Sequence, residues 1–203
     1  MEWYINEHAP VPFPEGCFLM AADQVPVLVS ANARGESGAP GLQSRAVVNV
    51  VMEKLLTRRG VDPRYFQLKK QKSGKPYGLL NGHYVGISIS HCTSLLVCAL
   101  HTKGETGIDV EPCGRPLHPR LRERISHPDE HRDLPEELSS IRIWTIKEAA
   151  LKYLGTGLRH AMSRIRLKRV DEHLFRADPG SGPVTVASFA FRDHWIAVAL
   201  KQE

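Results

Sequence analysis

The chain has 203 residues, 42% hydrophobic and 24% charged, with 16 Gly, 14 Pro and 4 Cys, which excludes a disordered, collagenous or disulfide-stapled chain. Twenty-seven Lys and Arg against 22 Asp and Glu leave a net charge of +5 with ten neutral histidines. This moderate basic excess favours an anionic partner, with nucleic acid, acidic protein and phosphorylated metabolite all open.

The length suits one large domain or two packed lobes. The uncharged apolar run Leu95 to Leu100 is far shorter than the roughly 20 residues of a membrane span. Met1-Glu2-Trp3-Tyr4 has neither the basic stretch nor the apolar core of a secretory signal, and Cys17, Cys92, Cys98 and Cys113 form no C-x-x-C pair. A reduced, cytoplasmic protein with no membrane partner is expected, its cysteines being small core or loop residues.

In chain order, Phe18 to Ala22 and Val25 to Val29 read as strands, followed by the loop-like Ala31 to Gly41. Leu42 to Arg59 carries apolar residues near helical spacing and ends before Gly60, which predicts an amphipathic helix. Phe66-Gln67-Leu68 suggests a short strand; Tyr84 to Ile89, Leu95 to His101 and Thr106 to Glu111 read as an antiparallel meander. Beyond Glu111 come Pro- and Arg-rich connections, then a long helix from about Pro135 to Leu154 stopped by Gly155 and Gly157, then strands over Ser163 to Val170, Val184 to Phe191 and Trp195 to Leu200. The order helix-then-sheet occurs twice, which predicts an α+β protein of two similar lobes.

Gly107-Ile108-Asp109-Val110-Glu111 is the first chemical feature. The strand period of two sends Ile108 and Val110 to the core and sets Asp109 and Glu111 side by side, roughly 7 Å apart at the backbone. Paired carboxylates repel unless a cation intervenes, and hard oxygen ligands suit Mg²⁺ or Mn²⁺; a solvated acidic strand end fits the pattern as well. On the long helix, Ile143, Ile146 and Ala150 mark one apolar face and Ile141, Trp144 and Leu151 the opposite one, so the helix should be covered on both sides. Glu148 and Lys152 fall inside the second stripe, one turn apart, either as a salt bridge or with Glu148 joining Asp109 and Glu111 on one cation.

Ser88-Ile89-Ser90-His91 follows a strand, with Ser88 and Ser90 on one face and His91 entering the turn. Hydroxyls and imidazole there can hold phosphate oxygens or be structural. In Ser73-Gly74-Lys75-Pro76, glycine permits close backbone approach and lysine supplies a compact charge for phosphate. Neither the P-loop pattern nor G-x-G-x-x-G after a strand occurs, which removes the main support for an ATP or dinucleotide site.

Taken in order, Gly74-Lys75-Pro76, Ser88-Ile89-Ser90-His91, Gly107-Ile108-Asp109-Val110-Glu111 and Trp144-Thr145-Ile146-Lys147-Glu148-Ala149-Ala150-Leu151-Lys152, followed by Gly155-Thr156-Gly157-Leu158, resemble the 4′-phosphopantetheinyl transferase superfamily. The likeness runs from about Arg45 to Val170 and is to the longer, monomeric branch that activates surfactin synthetase. It implies two pseudo-symmetric α+β lobes, each a small, mostly antiparallel sheet on a long helix, with the active site in the cleft between residues 1–104 and 105–203. It also implies a magnesium-dependent transfer of phosphopantetheine from coenzyme A to a serine of an acidic apo carrier protein, releasing 3′,5′-ADP.

By the same resemblance, Asp109, Glu111 and Glu148 would hold Mg²⁺, with Mn²⁺ as a possible substitute. Glu148, or water on the metal held by it, would accept the serine proton, and Lys152 would stabilise or protonate the departing phosphate. Arg45, Lys70, Lys75 and His91 would hold the nucleotide phosphates and adenine side, with Gly74, Pro76, Ser88 and Ser90 alongside. Ser88 stands where relatives usually have Asn and Cys92 where they often have Ser; for the 3′-phosphate, Arg34 is the candidate.

His127-Pro128-Asp129-Glu130-His131 lacks the H-E-x-x-H pattern and reads as a solvated helix start rather than zinc ligands; Glu130 is retained as an auxiliary metal contact by the resemblance. Arg164, Arg166 and Lys168 alternate with Ile165 and Leu167 like an exposed strand face. Two rival readings remain. One is a member that binds coenzyme A or a carrier without turnover. The other is a nucleic-acid module using the eight basic residues from Lys54 to Lys75 and the acid-free stretch Arg159 to Arg169, which lacks interleaved aromatic platforms.

Overall fold

The computed structural model describes residues 2–23, 49, 52–156 and 160–201. Two antiparallel sheets organise them. The first contains β1 (Glu2–Tyr4), β2 (Cys17–Asp23), β3 (Phe66–Lys70), β4 (Pro76–Leu80), β5 (His83–His91) and β6 (Leu95–His101), in the order β1-β2-β6-β5-β4-β3. The second contains β7 (Thr106–Pro112), β8 (Arg166–Arg169), β9 (Leu174–Asp178), β10 (Val184–Phe191) and β11 (His194–Leu200), in the order β7-β11-β10-β9-β8. Three helices accompany them: α1 over residues 52–58, α2 (Leu121–Ile125) and α3 (Ser140–Leu154).

The layering follows from strand alternation. Every residue of β6 is buried, because both of its faces are covered. Leu96, Cys98 and Leu100 pack with Met52, Leu55 and Leu56 of α1, while Leu95, Val97 and Ala99 pack against Ile108, Val110, Ile196 and Val198 of the second sheet. The reverse face of β11, through Ala197 and Ala199, packs on Ile143, Ile146, Ala149 and Ala150 of α3. The result is helix, sheet, sheet, helix: an α+β fold of two lobes. Among the described residues no helix is long and apolar enough to cross a membrane.

Several boundaries differ from the sequence expectation. The long helix starts at Ser140 rather than near Pro135, because the extended Ser139 caps it, its Oγ accepting from Arg142 N at 3.3 Å. Gly155 ends it as expected, in the left-handed conformation at φ 70°. The meander strand runs to His91, so His91 ends β5 rather than entering the turn. Ser163 to Val170 is a 3₁₀ turn over Met162–Arg164 followed by the shorter β8. β1, β4 and β9 were not anticipated; β4 carries Pro76 and Gly78, poor strand formers, and is held by pairing on both sides with β3 and β5. The strand expected at Val25 to Val29, the loop Ala31 to Gly41 and the first part of the Leu42 to Arg59 helix lie outside the described residues.

One close approach positions everything that follows. A Cβ on Gly107 would lie 2.0 Å from Ala149 O and 2.4 Å from Tyr153 N, so glycine lets α3 rest directly on β7.

Candidate active site

β7 is an edge strand of its sheet, and its alternation turns Ile108 and Val110 inward while Asp109 and Glu111 face α3. The Ser88 and Ser90 face of β5 lies against β7: Ser88 Oγ accepts from Ile108 N at 2.9 Å, and Ser90 donates to Asp109 Oδ1 at 2.7 Å. From α3, Lys152 Nζ donates to the same Asp109 Oδ1 at 2.7 Å and to Ser90 Oγ at 2.8 Å. Asp109 is 5% exposed, and its second oxygen, Oδ2, is buried with no hydrogen-bond partner. A buried carboxylate oxygen left bare is costly, which marks it as a place where a further donor or cation would be gained.

Glu111 and Glu148 complete the group electrostatically. Burial chiefly raises the carboxyl pKa of Glu148; the Asp109 charge adds to this, Lys152 opposes it and Glu111 adds again. Glu111 is also raised, first by burial, against the opposing pull of Arg115, with Asp109 adding repulsion. Arg115 donates to Glu111 Oε1 and stands 6.0 Å over the Trp144 ring. The three carboxylates therefore press on one another from β7 and α3, with Lys152 and Arg115 as the protein's own countercharges.

These donors suit a hard divalent cation in kind and in charge, and Asp109 Oδ2 is free to accept one. They do not form a finished cage. Among the described residues, no group of three or more His, Cys, Asp or Glu side chains is arranged to hold a metal ion.

A second cluster joins the lobes at the C-terminal end of α3. The Lys75 side chain, 7% exposed, donates through Nζ to Glu105 Oε2 and to the Tyr153 carbonyl, one of the carbonyls a helix end leaves unsatisfied. The Tyr84 hydroxyl donates to the other Glu105 oxygen and accepts from Gln71 Nε2 at 3.3 Å; burial and the Glu105 charge push its pKa up to about 12. Lys75, expected at a phosphate, is thus engaged by the protein itself.

The remaining expected residues are dispersed along the first sheet. Lys70 is exposed at the end of β3, Gly74 sits in an exposed turn at φ 91°, Pro76 opens β4 and His91 is exposed at the end of β5. Arg34, Arg45 and Gly157 lie outside the described residues.

The auxiliary metal role for Glu130 is corrected. Glu130 is 3% exposed, and both oxygens are occupied: Oε1 accepts from Leu167 N at 2.9 Å and meets Lys147 Nζ at 2.6 Å, while Oε2 accepts from His127 N at 2.9 Å. Lys147, fully buried, also donates to Ile125 O and to Met162 O. The pair fastens α2, the following linker and β8 to the back of α3. The sequence signal for it was Lys147 itself, a charge on a helix expected to be covered on both sides. Glu105 and Tyr84 carried no comparable signal, because their meeting depends on how the lobes pack. Arg164, Arg166 and Lys168 are exposed, with Ile165 and Leu167 fully buried between them.

Comparison with known proteins agrees with this geometry. Residues 105–199 match the family model described as the 4′-phosphopantetheinyl transferase superfamily. The chain is also similar to the 4′-phosphopantetheinyl transferase HetI of Nostoc sp., at 32% identity over 111 residues, covering 49% of this chain and 46% of that protein. The chain thus spans about half the length of the curated relative it matches. The matched segment holds Asp109, Glu111, Glu148 and Lys152, and over it the chain is similar to the 4′-phosphopantetheinyl transferase superfamily.

Proposed function

We propose that the protein transfers 4′-phosphopantetheine from coenzyme A to a serine of an apo acyl, peptidyl or aryl carrier protein, releasing 3′,5′-ADP with Mg²⁺ as cofactor. The reading extends to the longer, surfactin-synthetase-activating branch, acting as a cytoplasmic monomer, with functional lobes at 1–104 and 105–203. The observation that carries it is the carboxylate group of β7 and α3, with Asp109 Oδ2 bare and Glu148 and Glu111 raised in pKa.

Asp109, Glu111 and Glu148 would hold the ion, which when bound supplies charge neutralisation and electrophilic polarisation at the pyrophosphate. To do so, Asp109 and Glu111 exchange some of their bonding to Lys152 and Arg115. Glu148, whose raised pKa favours proton uptake, accepts the carrier serine proton. Lys152, now on Asp109 and Ser90, turns its ammonium to the departing phosphate. Lys70, Lys75, His91 and Arg45 hold the nucleotide phosphates and adenine side, Lys75 giving up Glu105 to reach them, with Gly74, Pro76, Ser88 and Ser90 alongside. The +5 charge favours an acidic carrier over a basic one.

The carboxylates' lack of a finished cage favours one second reading, a member that binds coenzyme A or a carrier without turnover. Incubating the protein with Mg²⁺, coenzyme A and a small panel of apo carriers, then weighing each carrier, separates the two. Transfer adds phosphopantetheine to at least one carrier; coenzyme A binding by calorimetry with no gain on any carrier supports the binder instead.

A further inference from the structure

Away from the carboxylates, the junction of the lobes holds a serine–histidine pair outside the proposed transfer chemistry. Ser94, exposed in the turn between β5 and β6, stands with Oγ 2.7 Å from His194 Nε2 at the start of β11, 100 residues away in sequence. His194 is 9% exposed, and its Nδ1 lies against the Arg192 carbonyl. A carbonyl oxygen can only accept, so Nδ1 carries a hydrogen, and the tautomer this selects has Nε2 as its acceptor. In that tautomer Ser94 donates its hydroxyl proton toward Nε2, with Cys92 Sγ also 3.7 Å from its Oγ.

This is the arrangement of a nucleophile on a general base, with a main-chain carbonyl fixing the base's tautomer where other enzymes use a carboxylate. The carbonyl is presented by a tight hairpin turn. β10 and β11 are joined through Arg192 and Asp193, neither a glycine, both left-handed at φ 46° and 57°. Left-handed φ at both central residues is what a type I′ hairpin turn uses to match the twist of its strands. Cys92 N bonds Leu95 O across the turn, and no backbone hydrogen bond engages Thr93 N or Ser94 N among the described residues.

We propose that Ser94 and His194 form a reactive dyad that takes acyl groups from carboxylic esters or thioesters. In the first half-reaction Oγ bonds to the carbonyl carbon, and the carbon–oxygen or carbon–sulfur bond to the leaving group breaks. The serine proton passes to His194 Nε2 and then to the departing alcohol or thiol. In the second, water attacks the acyl-serine through the same histidine, releasing the carboxylic acid and restoring the hydroxyl. The dyad uses neither Asp109, Glu111, Glu148 nor coenzyme A.

The test treats the full chain, without metal, coenzyme A or carrier, with a biotin-tagged fluorophosphonate. Attack forms a Ser94 Oγ–phosphorus bond, expels fluoride and sends the proton to His194. Peptide mapping should locate one adduct at Ser94 and little at Ser73, an exposed serine elsewhere. Excess p-nitrophenyl acetate should suppress it. His194→Gln, checked for cooperative unfolding, should slow labelling about 100-fold or more, the scale of a lost general base. Ser94→Ala should abolish it while leaving carrier loading intact. Wild-type protein in which Ser94 reacts no faster than Ser73, or a folded His194→Gln protein that labels normally, overturns the dyad and leaves the hydrogen bond as a structural tie. Failure of carrier loading in wild-type protein bears only on the transfer reaction.

Discussion

The buried pair Lys147–Glu130 offers the most quantitative stability test, because its two members are 0% and 3% exposed at 2.6 Å. Substituting Lys147→Met removes the cation and leaves the Glu130 carboxylate buried with only the Leu167 and His127 amides as donors. Breaking a buried pair from one side costs about 3–5 kcal/mol, since the surviving charge stays desolvated. In a chain of this size each kcal/mol lowers Tm by roughly 2–4 °C, so the substitution should lower Tm by about 6–20 °C. Glu130→Gln should fall in the same range: it keeps an acceptor for one amide but strands the ammonium, which burial already pushes toward neutrality against the opposing pull of Glu130. The double variant Lys147→Met/Glu130→Leu carries no stranded charge and should be less destabilised than the two single effects added. Thermal and urea unfolding of all four proteins measure this cycle. A single substitution costing under about 1 kcal/mol, the scale of an exposed pair, or strictly additive effects, would refute the structural role given to the pair.

Further outcomes follow from the site and its packing. Gly107→Ala should cripple carrier loading and lower Tm, because its Cβ meets the backbone of α3 at 2.0 Å; activity assays and calorimetry check both. Because Glu148 and Glu111 hold protons more tightly when folded than when unfolded, their contribution to stability is present at low pH. It is lost as pH rises through the range just above the ordinary glutamate value. Glu148→Gln should therefore raise Tm at neutral pH, and added Mg²⁺ should raise the wild-type Tm more than the variant's, as thermal scans across pH and metal concentration would show. Burial pushes the Cys17 and Cys98 thiols up to about 12, leaving about one thiolate in ten thousand at pH 8. Thiol titration of native protein should spare both and reach the half-buried Cys92 and Cys113 first.

Short-range patterning made the geometry of β7 and α3 legible. The alternation in Gly107-Ile108-Asp109-Val110-Glu111 placed two carboxylates on one face, and the helical spacing from Trp144 to Lys152 placed Glu148 and Lys152 one turn apart; the observed β7 and α3 have that form. What those side chains bond to depends on distant contacts. Helical spacing sets Lys152 one turn from Glu148, yet its amine reaches Asp109 and Ser90. Lys75 carried a phosphate-binding look from Gly74 and Pro76, while its partners Glu105 and Tyr153 come from the other side of the lobe junction. Glu130 suggested metal ligation until the burial of Lys147 showed where its oxygens go. Short strands such as β4 and β9 were invisible for a related reason: neighbouring strands hold them, and their own composition does not.

The proposed transfer requires the carboxylates of β7 and α3 to act together. The most direct measurement weighs an apo carrier that the wild-type protein loads, after incubation with coenzyme A, Mg²⁺ and folded Glu148→Gln or Asp109→Asn protein. The account predicts no phosphopantetheine gain with either variant, whereas loading at the wild-type rate by either would contradict it.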